Sequence, residues 1–115
     1  MIVRDLLAYE RATLERLLSE TFQGVHELRQ QLLVVTASSL DANGSLSLDP
    51  AGGPEAVVKD RIPVEAEYRD ADGVAVHVLL HVQAGQMCEL EVYRDDSGDL
   101  TLGLGDGPEL AVFSW

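Results

Sequence analysis

Basic residues are scarce in this sequence. Lys59 is the only lysine, and 8 basic residues stand against 20 acidic ones, for a formal net charge of −12 and a pI near 4.3. Affinity for nucleic acid rests on Lys and Arg displacing counterions from phosphates, so this balance argues against nucleic-acid binding. An anionic membrane surface repels such a chain for the same reason. What remains is solubility, or an acidic face that suits a basic protein partner.

Cysteine is equally sparse. Cys88 stands alone, so no internal disulfide forms. The start of the chain lacks the continuous apolar run of a signal peptide, because Arg4, Asp5, Glu10 and Arg11 interrupt it. No apolar run approaches the roughly 20 residues of a membrane span. The expected compartment is the cytoplasm.

Catalytic signatures are also missing. Gly103-Leu104-Gly105-Asp106-Gly107 has the glycines of a phosphate loop but neither a following helix nor a nearby lysine. Asp70, Asp72 and Gly73 make only part of a calcium loop, without its closing Glu. Asp95, Asp96 and Asp99 read as a solvated acidic turn. No serine occupies a G-x-S-x-G elbow. Cys88 is expected to face the core as an inert thiol. The chain is therefore expected to be non-enzymatic, with no catalytic residues and no cofactor.

What the sequence does contain is enough for one folded unit. Its 115 residues, 46% hydrophobic and 24% charged, suit a single domain over 1–115. A helical part is expected over about 5–31 and a β part over about 33–113. Leu14, Leu17, Leu18 and Phe22 recur at helical spacing, with Leu7 on the same stripe, and predict a helix from about Leu6 to Glu20. Glu10, Arg11, Glu15 and Arg16 fall on its solvated side. A second helix is expected from Val25 to Gln31, with His26 exposed near its start.

Strands follow. Leu33 to Ala37 is apolar and β-branched, Asn43-Gly44 signals a turn, and Ser45 to Leu48 alternates at period two. Asp49 to Glu55, with two prolines and two glycines, is a loop. Between Arg61 and Arg94 three alternating runs predict a meander. The Asp70-Ala71-Asp72-Gly73 turn sets Tyr68 opposite Val76, Ala66 opposite Val78, Val64 opposite Leu80 and Ile62 opposite Val82. A turn over Gln83–Met87 sets Val82 opposite Cys88, Leu80 opposite Leu90 and Val78 opposite Val92. Pro63 cannot donate to a ladder, which suggests an edge strand or a bulge there. Leu100 to Leu102 and Leu110 to Phe113 are weaker strand candidates. The fold expected is α+β, with two short N-terminal helices packed on one face of an antiparallel β-meander sheet.

That register builds a polar second face. Glu67 lies opposite His77, His77 opposite Tyr93, His81 opposite Glu89, and Leu79 between Glu65 and Glu91. Imidazole and carboxylate groups are ligands for Zn²⁺ or a similar ion, so His77, His81, Glu67 and Glu89 are the candidate metal ligands. Glu65, Leu79, Glu91 and Tyr93 mix acidic and apolar surface and are the candidate interaction face, for another protein or for a second copy in a homodimer.

The order of motifs resembles a family of small bacterial proteins, largely actinobacterial, of unknown function. The resemblance is carried by Glu15-Arg16-Leu17-Leu18, by Phe22-Gln23-Gly24 leading into Glu27-Leu28-Arg29, and by Asn43-Gly44-Ser45-Leu46. It continues through Pro63-Val64-Glu65-Ala66-Glu67, Asp70-Ala71-Asp72-Gly73 and Leu90-Glu91-Val92-Tyr93. It covers most of the chain up to Tyr93, and its motifs are structural. By analogy, some small acidic bacterial proteins of this build are suspected immunity proteins for secreted toxins. The functional expectation is a small acidic protein-interaction domain, regulatory or immunity-like. The alternative is a metal- or small-ligand-binding protein using the His/Glu face.

Overall fold

In the computed structural model, which describes residues 2–115, period-two alternation becomes burial. In β3 (Val64–Arg69) the side chains of Val64, Ala66 and Tyr68 are buried while Glu65 and Glu67 are half-buried. β4 (Ala75–Gln83) and β5 (Gln86–Arg94) follow suit, and β1 (Thr36–Ser39), β2 (Leu46–Asp49) and β6 (Ala111–Ser114) complete the sheet. The strand order is β1-β2-β5-β4-β3-β6, with every neighbouring pair antiparallel. α1 (Ala8–Leu17) and α2 (Val25–Leu32) lie over one face. Leu14, Leu17, Leu18 and Leu28 join Val76, Val78, Leu80, Leu90 and Val92 in one buried cluster.

The helices hold each other's ends. Arg11 of α1 donates to the Leu32 carbonyl at the end of α2 (3.1 Å), and Arg29 of α2 donates to the Leu18 carbonyl at the end of α1 (2.8 Å). Each arginine thus meets carbonyls that no helical N–H reaches. Gly24 begins α2 at φ +91°, where a Cβ would come within 2.8 Å of the Val57 carbonyl oxygen. Only glycine suits both demands.

Several sequence expectations shift. Glu10 is buried rather than solvated: it accepts two hydrogen bonds from Arg4 (2.7 and 2.9 Å) and one from the Leu7 N–H (2.8 Å). Burial pushes its carboxyl up, but Arg4 and Leu7 more than offset this, and the net shift is downward. The first strand begins at Thr36, three residues later than expected. Leu33 and Val34 belong to the turn leaving α2 and are exposed. Leu100–Leu102 forms no strand, because the Asp70 carboxylate holds the Thr101 and Leu102 N–H groups. β6 does form and pairs with β3, so β3 is not an edge. Pro63 sits one residue before the ladder, where its missing N–H is not required.

The register of β3 with β4 is as expected from Val64↔Leu80 to Tyr68↔Val76. Between β4 and β5 it holds for Val78↔Val92 and Leu80↔Leu90, then slips by one: Val82 faces Met87 instead of Cys88. The cause is the turn. Ala84 and Gly85 both have positive φ (52° and 77°), the requirement of a two-residue primed turn. A bulge between His81 and Val82 absorbs the odd residue. Met87 is therefore fully buried, and Cys88 is displaced to a half-buried position outside the core.

Two polar clusters hold the ends of the sheet. Gln31 is 0% exposed; its amide donates to the Pro54 and Gly85 carbonyls (2.7 and 2.8 Å) and accepts from the Met87 N–H (2.9 Å). Arg94 is clamped by Asp70, Asp72 and Asp96. Asp70 also accepts from the N–H groups of Thr101, Leu102 and Ala71, and these contacts, with Arg94, hold its carboxyl far below the usual carboxylate range. Asp72 and Asp96 are lowered too, chiefly by Arg94.

Leu80→Ala is expected to lower stability by about 2–5 kcal/mol in urea unfolding, through lost burial and a cavity. Gln31→Leu removes three hydrogen bonds at once. It is expected to cost about 1–3 kcal/mol or more by the same assay, since backbone groups are left unpaired. The aspartates make a pH prediction. Their folded pKa values lie below the unfolded value of about 3.9, so their stabilisation is complete above that pH and is lost as pH falls through the folded values. Asp70→Asn should therefore be much less stable than wild type near neutrality, and the gap should narrow as the pH is taken below about 4. A gap independent of pH would mean that the Asp70 charge is not its source.

Candidate functional site

The sheet face turned away from the helices is laid out by the same register. His77 of β4 lies between Glu67 of β3 and Tyr93 of β5, Leu79 between Glu65 and Glu91, and His81 beside Glu89. Two further residues extend the face beyond the meander. Glu65 pairs with Phe113 of β6, which is 49% exposed, and Trp115 follows on the same side, its N–H bonded to the Pro63 carbonyl. Sequence reasoning names Phe113 only as the end of a strand candidate and leaves Trp115 out, although Ala111, Phe113 and Trp115 themselves alternate. Trp115 borders a recess of about 390 Å³ with Asp60, Arg61, Ile62 and Glu65.

Side chains then sort the face into two halves. His77 Nε2 lies 2.9 Å from Asp95 Oδ1, and its ring stacks on Tyr93 with centroids 4.9 Å apart. Glu67, directly across the ladder from His77, makes its ion pair with Arg69 at 3.3 Å. At the other end His81 Nε2 lies 2.8 Å from Glu91 Oε1. His81, Glu89 and Glu91 place one ligand atom each within 4.8 Å of one another. Of the four candidate metal ligands, the structure brings His81 and Glu89 together with Glu91, and gives His77 and Glu67 other partners.

The candidate interaction residues form a continuous patch. Glu65, Leu79 and Glu91 lie in one row across three strands, with Tyr93 next along β5. Leu79 is only 9% exposed although it lies on the face turned away from the helices. Burial, together with Glu91, Glu65 and Asp95, raises the Tyr93 hydroxyl pKa. Cys88 lies beside this face and donates weakly to the His81 carbonyl (3.5 Å). Burial pushes its thiol up, against an opposing pull from Arg61, which keeps it in the unreactive protonated form at neutral pH.

The arrangement suits ionic and apolar docking, and at its His81 end it suits ligation. Among the described residues no helix is long and apolar enough to cross a membrane. Comparison with curated proteins and with solved structures finds no match. One family model does match, over residues 3–102, which take in both helices and five of the six strands. The chain belongs to the family described as Domain of unknown function (DUF6984).

Proposed function

We propose that this is a non-enzymatic protein-interaction domain, regulatory or neutralising in role, that binds a basic protein through the uncovered face of its sheet. One observation carries the reading. A six-stranded sheet has helices on one side only, and the other side presents Tyr93 and Phe113, with Leu79 9% exposed between them, among Glu65, Glu67, Glu89 and Glu91. Such a mixture of apolar anchor and like charge complements a surface with aromatic or aliphatic contacts ringed by Lys and Arg. A net charge of −12 favours a basic partner over a second copy of the chain and over nucleic acid. The single cysteine and the resemblance to small bacterial proteins support a bacterial cytoplasm as its setting.

The test is site-directed photo-crosslinking in the native cell, with a photoreactive aromatic amino acid in place of Tyr93 and, as control, of Leu33 on the helical side. The expected result is an adduct with one basic protein from position 93 and none from 33. A Glu65→Lys, Glu91→Lys double variant should lose that adduct and weaken the purified complex by at least about tenfold, as expected for reversal of facing charges. Equal adducts from both positions, or adducts with a second copy only, would overturn the reading.

A further inference from the structure

We propose that His81, Glu89 and Glu91 form a binding site for a divalent cation of the Zn²⁺ class. Glu89 and Glu91 also belong to the docking face proposed above, but the site is complete within the free chain. Its donors are one imidazole nitrogen and two carboxylates. Calcium and magnesium prefer all-oxygen sets, whereas zinc and its transition-metal neighbours accept imidazole together with carboxylate.

The backbone assembles these donors without a loop. His81 and Glu89 are cross-strand partners, and Glu91 is the next residue of β5 on the same face. A bulge falls between His81 and Val82, at the end of the regular ladder, and bulges commonly re-aim side chains at sites. His81 is already turned into the group, with Nε2 2.8 Å from Glu91 Oε1. The His81 side chain is 14% exposed and that of Glu91 38%, so the histidine is held while the carboxylate is free to adjust and an ion has access from solvent. Two like charges two residues apart on one strand face repel each other, and a dication between them removes that repulsion.

Distances set the adjustment required. Metal–ligand bonds of about 2.0–2.2 Å in a tetrahedral shell place neighbouring donors roughly 3.5 Å apart. The present atoms lie within 4.8 Å of one another and His81 Nε2 lies 2.8 Å from Glu91 Oε1, so this hydrogen bond must open and the wider spacing close, each by about 1 Å, which rotation of the glutamates supplies. Three protein donors leave a position for water, as in an open rather than a closed zinc site.

A second observation bears on strength. His81 Nδ1 is buried and has no hydrogen-bond partner among the described residues. With the metal on Nε2 this atom carries the proton, and no acceptor orients it. Lost outer-shell partners typically weaken a site about 10- to 100-fold. Binding is therefore expected in the micromolar range rather than at the strength of a structural zinc site.

The experiment is calorimetric titration of the full chain with Zn²⁺, with Co²⁺ absorption as a spectroscopic readout of ligand field. Uptake of one equivalent is expected. His81→Gln and Glu91→Gln should each weaken it by at least about tenfold, while His77→Gln and Glu67→Gln leave it within about twofold. In the wild-type protein, NMR of the imidazole nitrogens should show Zn²⁺ shifting His81 and leaving His77 and His26 unmoved, a readout that needs no variant to fold. No saturable uptake at millimolar Zn²⁺ would overturn the proposal. So would an equal loss in His77→Gln, or zinc-induced shifts on His77 or His26 instead of His81.

Discussion

The pairing of β3, β4 and β5 is the constraint from which both faces of the molecule follow. A slip of one residue would carry Glu65, Glu67, Glu89 and Glu91 into the core and turn Val64, Val78, Leu80 and Leu90 to water. Burying even one unpaired carboxylate costs far more than a hydrogen-bonded ladder pair returns, so no competing register survives. The apolar side then needs cover, which α1 and α2 supply, and the acidic side stays wet. His77 and His81 owe their positions to the same choice, since each occupies an outward slot of β4.

Alternation makes the middle of the sheet secure but leaves its ends undetermined, and there polar groups take over. At one end Gln31 reaches from α2 to the 50–55 loop and the β4–β5 turn, adding to the backbone bond from the Ala56 N–H to the Gly85 carbonyl (2.8 Å). At the other end Arg94 gathers the two turns that follow β3 and β5, and Asp70 extends the hold to Thr101 and Leu102. Both clusters are fully partnered. The low-dielectric setting that makes an unpaired buried group costly therefore makes these rigid. The 3-10 turn over Leu104–Asp106 and β6 are positioned through that second cluster, with Tyr68 adding a bond from its hydroxyl to the Leu102 carbonyl (2.7 Å).

How far these features were legible in the sequence depends on how local their causes are. The helices, the Asp41–Gly44 turn and the pairing from Val64 to Tyr68 are written in spacing and turn residues that act within a few positions. Gly85 marks the β4–β5 turn in the sequence but not its length, because Ala84 takes a left-handed conformation that its side chain does not advertise. That one residue exchanged Met87 for Cys88 in the core. Glu10 reads as a surface charge although its partners, Arg4 and the Leu7 N–H, lie within six residues, and the role of Arg94 carries no local signal because Asp70 and Asp72 come from another turn. Of the outer face, the rows were readable and the side-chain choices were not. Register puts Glu89 and Glu91 equally on the face, but only geometry shows His81 turning to Glu91 and His77 to Asp95.

The outer face is also the part of the molecule whose composition folding constrains least. The inner face has to be aliphatic to meet Leu14, Leu17 and Leu28, and the turns need their glycines and aspartates. On the outer side, any polar residue with adequate strand propensity satisfies the register equally well, and lysine or threonine would serve stability as well as glutamate. Four glutamates there add mutual repulsion that the fold does not use. Phe113 and Tyr93 at their rim, 49% and 37% exposed, are costs to solubility rather than gains in packing. A face that repels itself electrostatically while exposing aromatic surface is poorly explained by the demands of folding, and the basic partner or the cation proposed for it would supply the missing positive charge.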